Sequence, residues 1–363
     1  MENKIIFYWN NKPDEEYHIN MWTNRICTEK LLKEEVSKPT HIFFVPAPHD
    51  NDNVFDSVNK ITGQNNKIII WYLDHNLYDE YYDSKILELY NLGEDIIKIT
   101  PDMNIENKHP FKILHTYSMA DTVLEQQQND RNLITGLFKR SERWGRHKYF
   151  LCFNGTPKSH RIGFVNGLYN NNLFDKMDIS FLSWFDENNI RFTAEDIKNH
   201  MLGAYDKIEL PEEIYPMHLD FGRHAHGFGT SLLNLPLYFS SYFDIITMAK
   251  YEQVGVYLDE KLYKSFACMK PFLIVGQYNT LKVLRDYGFK TFGDWIDESY
   301  DDVKNDYDRM EMVTDVVKEL NNMSVFEIDK LFWKFKDVLV HNFLHLKKFI
   351  NEIDAKLIKE ICE

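Results

Sequence analysis

The stretch that decides the fold is residues 242–292, YFDIITMAKYEQVGVYLDEKLYKSFACMKPFLIVGQYNTLKVLRDYGFKTF. Its apolar runs at Phe243 to Thr247 and at Phe272 to Val275 predict two buried strands. The polar and apolar series from Glu260 to Met269 predicts a helix between them, and a second helix begins at Leu281. Strands and helices that alternate in this way are typical of a parallel α/β sheet.

Three helix boundaries can be placed from residue type alone. Thr280 is predicted to be the N-cap of the helix that begins at Leu281, and Gly288 is the residue type that a left-handed C-terminal position favours. Ser324 and Glu327 have the spacing of a capping box in front of a periodic apolar series. The chain is therefore predicted to be helical from there to its end.

The same alternation extends towards the N-terminus. KYFLCFNG, from Lys148, predicts a strand and HRIGFVNGLY a helix, while the first third of the chain contains four short apolar runs that predict buried parallel strands: Ile5 to Trp9, His41 to Val45, Lys67 to Leu73 and Asp95 to Ile99. We therefore expect an N-terminal α/β domain over residues 1–140, a second α/β domain over 148–310 and C-terminal helices over 311–363. The polar and basic residues 126–146 are the expected connector.

The bulk composition excludes several classes of protein. The chain has 363 residues, 44% of them hydrophobic, and a formal net charge of -14, so no global positive field attracts it to a polyanion. Its four cysteines lie far apart, which fits neither a zinc ribbon nor a disulfide framework. No window approaches 18 consecutive apolar residues and no signal-peptide core is present, so a cytoplasmic protein without a membrane span is expected.

Two segments of the second domain contain residues suited to phosphate. Asp259 is predicted to be the N-cap of a helix whose first turn offers unpaired N–H groups to an anion, with Glu260, Lys261 and Lys264 on its first turns. The alternative is an ordinary surface helix with a Glu260 to Lys264 ion pair.

The other segment is the turn after the strand that ends at Asn154. Lys158, His160 and Arg161 crowd this turn and the start of the next helix, and a guanidinium can bind a diphosphate in a bidentate manner. The alternative is a basic turn that satisfies its own backbone.

Together these segments resemble the donor half of two-domain (GT-B) glycosyltransferases. The resemblance rests on N-G-x-P-x-x-x-R, from Asn154 to Arg161, followed by D-E-K-L-Y-K-S-F and K-P-F-L-I-V-G, and it is greatest to the fucosyltransferase-like group. Residues 288–292 and 295–300, G-F-K-T-F and W-I-D-E-S-Y, also resemble phage-encoded proteins of this kind. The likeness covers roughly Phe150 to Asp308, with the gap from Asp186 to Phe239 unmatched.

The resemblance implies two Rossmann-like domains facing a central cleft, with a long C-terminal helix packing back on the N-terminal domain. It implies that Arg161 binds the diphosphate of a nucleotide sugar, Glu260 the ribose and Lys261 a phosphate oxygen, with no metal and no cofactor required. Asp259 departs from the Ser or Thr of the family pattern, which adds a carboxylate near the expected diphosphate. The implied reaction is transfer of a sugar to an acceptor hydroxyl, with inversion.

The catalytic base is expected in the N-terminal domain, after a strand that ends near an acid. Asp50 and Asp74 are the two candidates, because loops beyond the carboxyl ends of parallel strands are where α/β sheets bind ligands. The alternative for both is a turn or cap residue.

The acceptor has two candidate classes, a glycan or protein, or a hydroxymethylated base in phage DNA. The only basic cluster suited to DNA lies in the connector, where its alternative is a solvated linker: Lys139, Arg140, Arg143, Arg146 and Lys148. A protein that keeps the fold but only binds or assembles is the alternative of another class.

Two further clusters are considered as metal sites and rejected. The acidic segment DWIDESYDD offers carboxylates to a hard cation, but a solvated loop or helix start is favoured. His224 and His226 in GRHAHG have no clear third ligand, so a polar loop is favoured there.

Overall fold

The computed structural model describes residues 5–9, 12–13, 25–45, 52–72, 80–103, 109–117, 119–129, 145–155, 158–181, 233, 235–251 and 255–363. Asp50, Asp74, Lys139, Arg140, Arg143, His224 and His226 lie outside the described residues.

The first part of the chain alternates strands and helices, as predicted. Its elements are β1 (Ile5–Trp9), β2 (Lys12–Pro13), α1 (Arg25–Leu31), β3 (Thr40–Val45), α2 (Asp52–Asn59), β4 (Lys67–Tyr72), α3 (Glu80–Asn91), β5 (Asp95–Thr100), β6 (Asp102–Met103), β7 (Lys112–His115) and α4 (Ala120–Asn129).

The second part continues the alternation and ends in helices. Its elements are β8 (Lys148–Asn154), α5 (Ser159–Asn170), β9 (Met177–Phe181), α6 (Leu235–Ser240), β10 (Ser241–Thr247), β11 (Val256–Tyr257), α7 (Glu260–Ala267), β12 (Phe272–Val275), α8 (Thr280–Asp286), α9 (Asp306–Asn321), α10 (Val325–Lys334) and α11 (Lys336–Cys362).

The chain divides into two compact units, each with its own parallel sheet. Unit 1 contains residues 1–125, 255–260 and 346–363, and unit 2 contains residues 126–254 and 261–345. The prediction of two Rossmann-like α/β units and a long C-terminal helix is confirmed. The 27-residue helix α11 begins in unit 2 and ends in unit 1.

The sheet of unit 1 has the order β2-β1-β3-β4-β5-β7 and is parallel except for β2. Strands β3 and β4 are buried along their whole length, which explains why they are apolar without alternation. One core of this unit packs helix residues such as Val58 and Ile86 against strand residues such as Ile68 and Ile70. After β1, each described parallel strand of this sheet adds on the same side of the previous one.

The sheet of unit 2 has the order β12-β10-β8-β9, and all its strand pairs are parallel. The chain goes from β8 to β9 on one side and then returns to place β10 on the other side of β8. This reversal is a topological switch point, the position outside the carboxyl ends of the strands where open α/β sheets bind ligands. It lies between β8, which precedes the first predicted phosphate segment, and β10, whereas the second segment follows the short strand β11.

One helix boundary differs from its prediction. Thr280 is the first residue of α8, and its hydroxyl donates to the carbonyl oxygen of Gln277. The acceptor at the start of α8 is instead the carboxylate of Asp301, which receives the N–H groups of Leu281 and Lys282 at 2.8 Å each. Asp301 comes from twenty residues further along the chain, so a local capping rule does not find it.

The other two boundaries are confirmed. Gly288 has φ 85°, the left-handed conformation that favours glycine. Ser324 and Glu327 form both halves of the capping box at the start of α10.

Candidate functional site at the switch point of unit 2

Asn154 joins the carboxyl ends of three neighbouring strands. Its amide oxygen accepts from the hydroxyl of Thr247 at 2.8 Å, and its amide nitrogen donates to the carbonyl oxygen of Ser180 at 3.1 Å. The side chain has no exposed surface. This enclosed amide holds the strand ends together, and the expected role of Asn154 in binding the donor stays a prediction.

Three basic residues at the start of α5 donate to consecutive carbonyl groups at and directly after the end of β10. The ammonium of Lys158 donates to Ala249 at 2.7 Å, and the Nε2–H of His160 donates to Met248 at 3.0 Å. One terminal nitrogen of Arg161 donates to Thr247 at 3.1 Å and to Met248 at 3.2 Å. The sequence also allowed a basic turn whose side chains bond to its own backbone. The observed bonds are likewise bonds to the protein's backbone, but the accepting carbonyl groups belong to β10 and the residues directly after it.

Charges from both predicted segments influence the pKa of His160. Burial, followed by the positive charges of Arg161, Lys158 and Lys261, lowers the pKa of His160 to about 3, against the opposing effect of its bond to Met248. His160 is therefore neutral at pH 7. Lys261 belongs to α7 and the others to the turn after β8, so cations from both segments act on one point.

The start of helix α5 adds to this positive field. Its N-cap position is Lys158, whose side chain makes no capping hydrogen bond, and α5 runs for 12 residues. The first N–H groups of a helix carry a partial positive charge that favours anions. The helix start and the basic side chains thus favour the same sign of ligand charge.

Tyr251 and Arg309 complete the site, and the sequence analysis did not find them. The ring of Tyr251 stacks on that of His160 with centroids 5.1 Å apart, and the Arg309 guanidinium lies 4.6 Å from the ring centroid. Arg309 also donates to the carbonyl oxygen of Gly276 at 2.9 Å, beyond the end of β12. No motif surrounds Arg309, and only its position between acidic residues near the start of a helical series distinguishes it.

Gly276 is needed at this place for steric reasons. A Cβ atom added to it would lie 2.8 Å from side-chain atoms of both Ile274 and Met248. The glycine that ends the K-P-F-L-I-V-G segment therefore permits close packing next to the end of β10.

Helix α7 places its predicted residues in different environments. Glu260 and Lys261 are half-buried, whereas Lys264 is buried and Asp259, directly before the helix, has no exposed surface. Further along the helix, the Ser265 hydroxyl donates to the buried carboxylate of Asp244 on β10. The accessible charges at the start of α7 are thus Glu260 and Lys261.

Carboxylates of the acidic segment accept hydrogen bonds from their own chain, and only part of the segment is solvated. Glu298 accepts from the N–H of Phe292 and from the hydroxyl of Thr291, and Asp297 accepts from the N–H of Ser299. The described ranges contain no group of three or more His, Cys, Asp or Glu side chains suited to a metal ion.

The described part of the basic connector also packs on its own chain. The guanidinium of Arg146 lies 3.8 Å from the ring centroid of Phe332, and the ammonium of Lys148 donates to the carbonyl oxygen of Asp175 at 3.0 Å. These two charges contact protein groups rather than forming an open basic surface.

Comparison with known proteins gives structural likeness only. No protein-family model and no curated protein matches the chain. A trehalose-6-phosphate synthase, OtsA, is 13% identical with a TM-score of 0.47 over 93% of this chain and 75% of its own. The UDP-forming trehalose-phosphate synthase from Burkholderia xenovorans is 11% identical, with a TM-score of 0.47 over 93% and 78%.

A third structure, "Trehalose-6-phosphate from E. coli bound with UDP-2-fluoro glucose", is 13% identical, with a TM-score of 0.43 over 91% of this chain and 76% of its own. Likeness at these values does not assign an activity to the chain. Among the described residues, no helix combines the length and the apolar character needed to cross a membrane.

Proposed function

We propose that the protein is a GT-B glycosyltransferase that moves a sugar from a nucleotide-diphosphate donor to an acceptor hydroxyl, with inversion and without a metal. The observation that carries this proposal is that Lys158 and Arg161, at the start of α5, bond to the end of β10 at the switch point of unit 2. A crevice at a switch point that presents several cations and a helix start is suited to a diphosphate.

In this proposal the diphosphate of the donor lies against the start of α5 and the ammonium of Lys261. Arg161 and Lys158 supply positive charge while their hydrogen bonds hold the end of β10. Glu260 accepts from the ribose diol, and Lys264 supports the charge of Lys261 one turn further along α7. The leaving diphosphate is then stabilised by fixed cations and N–H groups, as transfer without a metal requires.

Between the two acceptor classes, the described residues favour a glycan or protein over a hydroxymethylated base in phage DNA. A duplex is bound mainly through neutralisation of its phosphates, and the net charge is -14. Arg146 and Lys148, the described members of the basic connector, are already in contact with the protein itself.

A thermal-shift screen with UDP, GDP, CDP and their sugars tests the proposal. At least one nucleotide is expected to raise the melting temperature, and Lys261→Ala should abolish that shift and lower the release of diphosphate by about 10² to 10³ fold. Lys282→Ala is the matched control, because Lys282 is an exposed helix lysine paired with Asp286. A chain that no nucleotide stabilises would instead be the non-catalytic binding or assembly protein.

A further inference from the structure

One buried arginine joins three segments that meet at the carboxyl edge of the unit 2 sheet. Arg309 lies in the first turn of α9, and only 2% of it is exposed. Its Nε donates to the carbonyl oxygen of Gly276, directly after β12, at 2.9 Å, and one Nη donates to that of Tyr251, shortly after β10, at 3.3 Å. The other Nη donates to Val303, before α9, at 2.9 Å. Arg309 thus connects the ends of two neighbouring strands to α9.

The bonds of Arg309 determine what this side chain can do. A guanidinium has N–H donors on all three nitrogens and no acceptor. All three nitrogens of Arg309 donate to the protein, and one of them also binds the carboxylate of Asp306. A side chain that is buried and bonded in this way holds other residues in place and does not itself contact a bound anion. Its effect on a ligand must therefore pass through a neighbour.

Tyr251 is the neighbour that connects Arg309 to the start of α5. The guanidinium lies 4.6 Å from the ring centroid of Tyr251, whose hydroxyl donates to the carbonyl oxygen of Asp306 at 2.6 Å. The same ring stacks on that of His160, with centroids 5.1 Å apart and an angle of 7° between the ring planes. His160 is the second residue of α5. Contacts therefore lead from α9, through the segment after β10, to the first turn of α5.

The first turn of α5 is where the orientation of backbone groups matters for an anion. Its N–H groups stabilise negative charge most strongly when they are fixed before the ligand binds. His160 holds this turn through its bond to the carbonyl oxygen of Met248 at 3.0 Å and through the ring of Tyr251. Met248 and Tyr251 belong to the same segment after β10, which Arg309 bonds to α9. Loss of Arg309 would therefore loosen both the segment and the turn.

From these contacts we propose that Arg309 is a positioning residue of the donor site, which orients the first turn of α5 for the diphosphate through Tyr251. This inference rests on the proposed function. The segment after β10 is held from two helices, by Lys158, His160 and Arg161 of α5 and by Arg309 of α9. The start of α5 is then fixed relative to α9, although α9 itself does not contact the donor.

Titration calorimetry tests the inference, with whichever of UDP, GDP and CDP most raises the melting temperature. Arg309→Lys keeps the charge but cannot make all the bonds of the guanidinium, and Tyr251→Leu removes the stacked ring. Measured on folded protein, each variant should bind the nucleotide about 10 to 100 fold more weakly. Tyr251→Phe keeps the ring and should keep the affinity. The double variant of Arg309→Lys and Tyr251→Leu should bind about as weakly as the weaker single variant, because both changes break one series of contacts.

Arg285→Lys is the matched control, because Arg285 also lies in unit 2 and pairs with Glu298, but on α8. It should keep the wild-type affinity. Wild-type affinity in Arg309→Lys and Tyr251→Leu, with only a lower melting temperature, would overturn the inference, as would additive losses in the double variant. If Arg309→Lys does not fold, the comparison of Tyr251→Leu with Tyr251→Phe decides. Failure of the proposed function looks different, because then the wild-type chain binds none of the nucleotides.

Discussion

The two sheets share an architecture but differ at their carboxyl edges. In unit 1 the parallel strands after β1 add in one direction, whereas in unit 2 the order reverses between β8 and β10. The reversed edge collects cations that are bonded to the ends of its own strands, and the other edge holds Asp102 and His115. The difference teaches that basic side chains bonded to neighbouring strand ends stabilise the reversed edge, whereas the edge of unit 1 depends on a neutral histidine bonded to a backbone carbonyl.

The largest expected difference between the two units is the loss of stability that Arg161→Ala should cause in unit 2. The role that the resemblance implies for Arg161 would give a catalytic loss with almost no change in melting temperature. Only 3% of Arg161 is exposed, however, and its guanidinium binds two carbonyl groups. We expect a loss of about 3 kcal/mol in the free energy of unfolding, because hydrogen bonds from a charged group are lost and carbonyls stay buried.

Denaturant titration with hydrogen exchange measures this loss. Exchange should rise in β8 and β10 but not in β3 and β4, and Arg161→Lys, which keeps the charge, should lose less. A change below about 1 kcal/mol, or equal exchange in both sheets, would contradict the structural role of the side chain.

A smaller effect is expected from Gly276→Ala, which tests the close packing at the switch point. The new methyl group would meet Ile274 and Met248 at 2.8 Å, so we expect a loss of about 1 to 3 kcal/mol. Gly155→Ala is the matched control, since Gly155 also follows a strand of this sheet and its Cβ would meet nothing within 4 Å. Similar melting temperatures for the two variants would show that the packing is looser than described.

A third comparison concerns the opposite pH dependences of the two units. The pKa of His160 is lowered from 6.5 to about 3. As the pH falls from 6.5 to about 3, the unfolded chain therefore binds a proton that the folded chain does not bind, and unit 2 loses stability. The pKa of Asp102 is raised from 3.8 to about 8. As the pH rises from 3.8 to about 8, the unfolded chain therefore loses a proton that the folded chain keeps, and unit 1 loses stability.

Hydrogen exchange at pH 5 and pH 8, corrected for intrinsic rates, measures both dependences. His160→Gln should remove the acid sensitivity of unit 2 only, and Asp102→Asn should remove the alkaline sensitivity of unit 1 only. If both variants changed both units, the two sheets would not be independent in stability.

Much of the fold could be predicted because its strands are short apolar runs between polar helices. Phe272 to Val275 was placed to the residue, since Pro271 and Gly276 bound it on both sides. Start signals that depend on neighbours in sequence, such as Ser324 with Glu327, were also found. The cap of α8 was not, because Asp301 reaches it through the tertiary fold and competes with the local candidate Thr280.

The site was predicted less completely, and the reason is physical. Lys158, Arg161 and Lys261 could be chosen as candidates because they follow strand ends, which is a sequence property, and their binding of a donor stays a prediction. Their partners could not be recognised, since the carbonyls of Thr247 and Met248 belong to another strand and have no residue preference. Tyr251 and Arg309 acquire their places only through packing, and Asp50 and Asp74 remain predictions outside the described residues.

Helix α11 has a consequence for the order in which the chain folds during synthesis. Its last turns belong to unit 1, where Asp354 accepts from Tyr117 at 2.8 Å and the carbonyl of Ile361 receives the ammonium of Lys67 at 3.0 Å. A ribosome adds these residues after all of unit 2, although it adds the strands of the unit 1 sheet first. The strands of unit 1 are therefore synthesised long before the helix turns that bond to them, whereas all residues of unit 2 are synthesised before those turns.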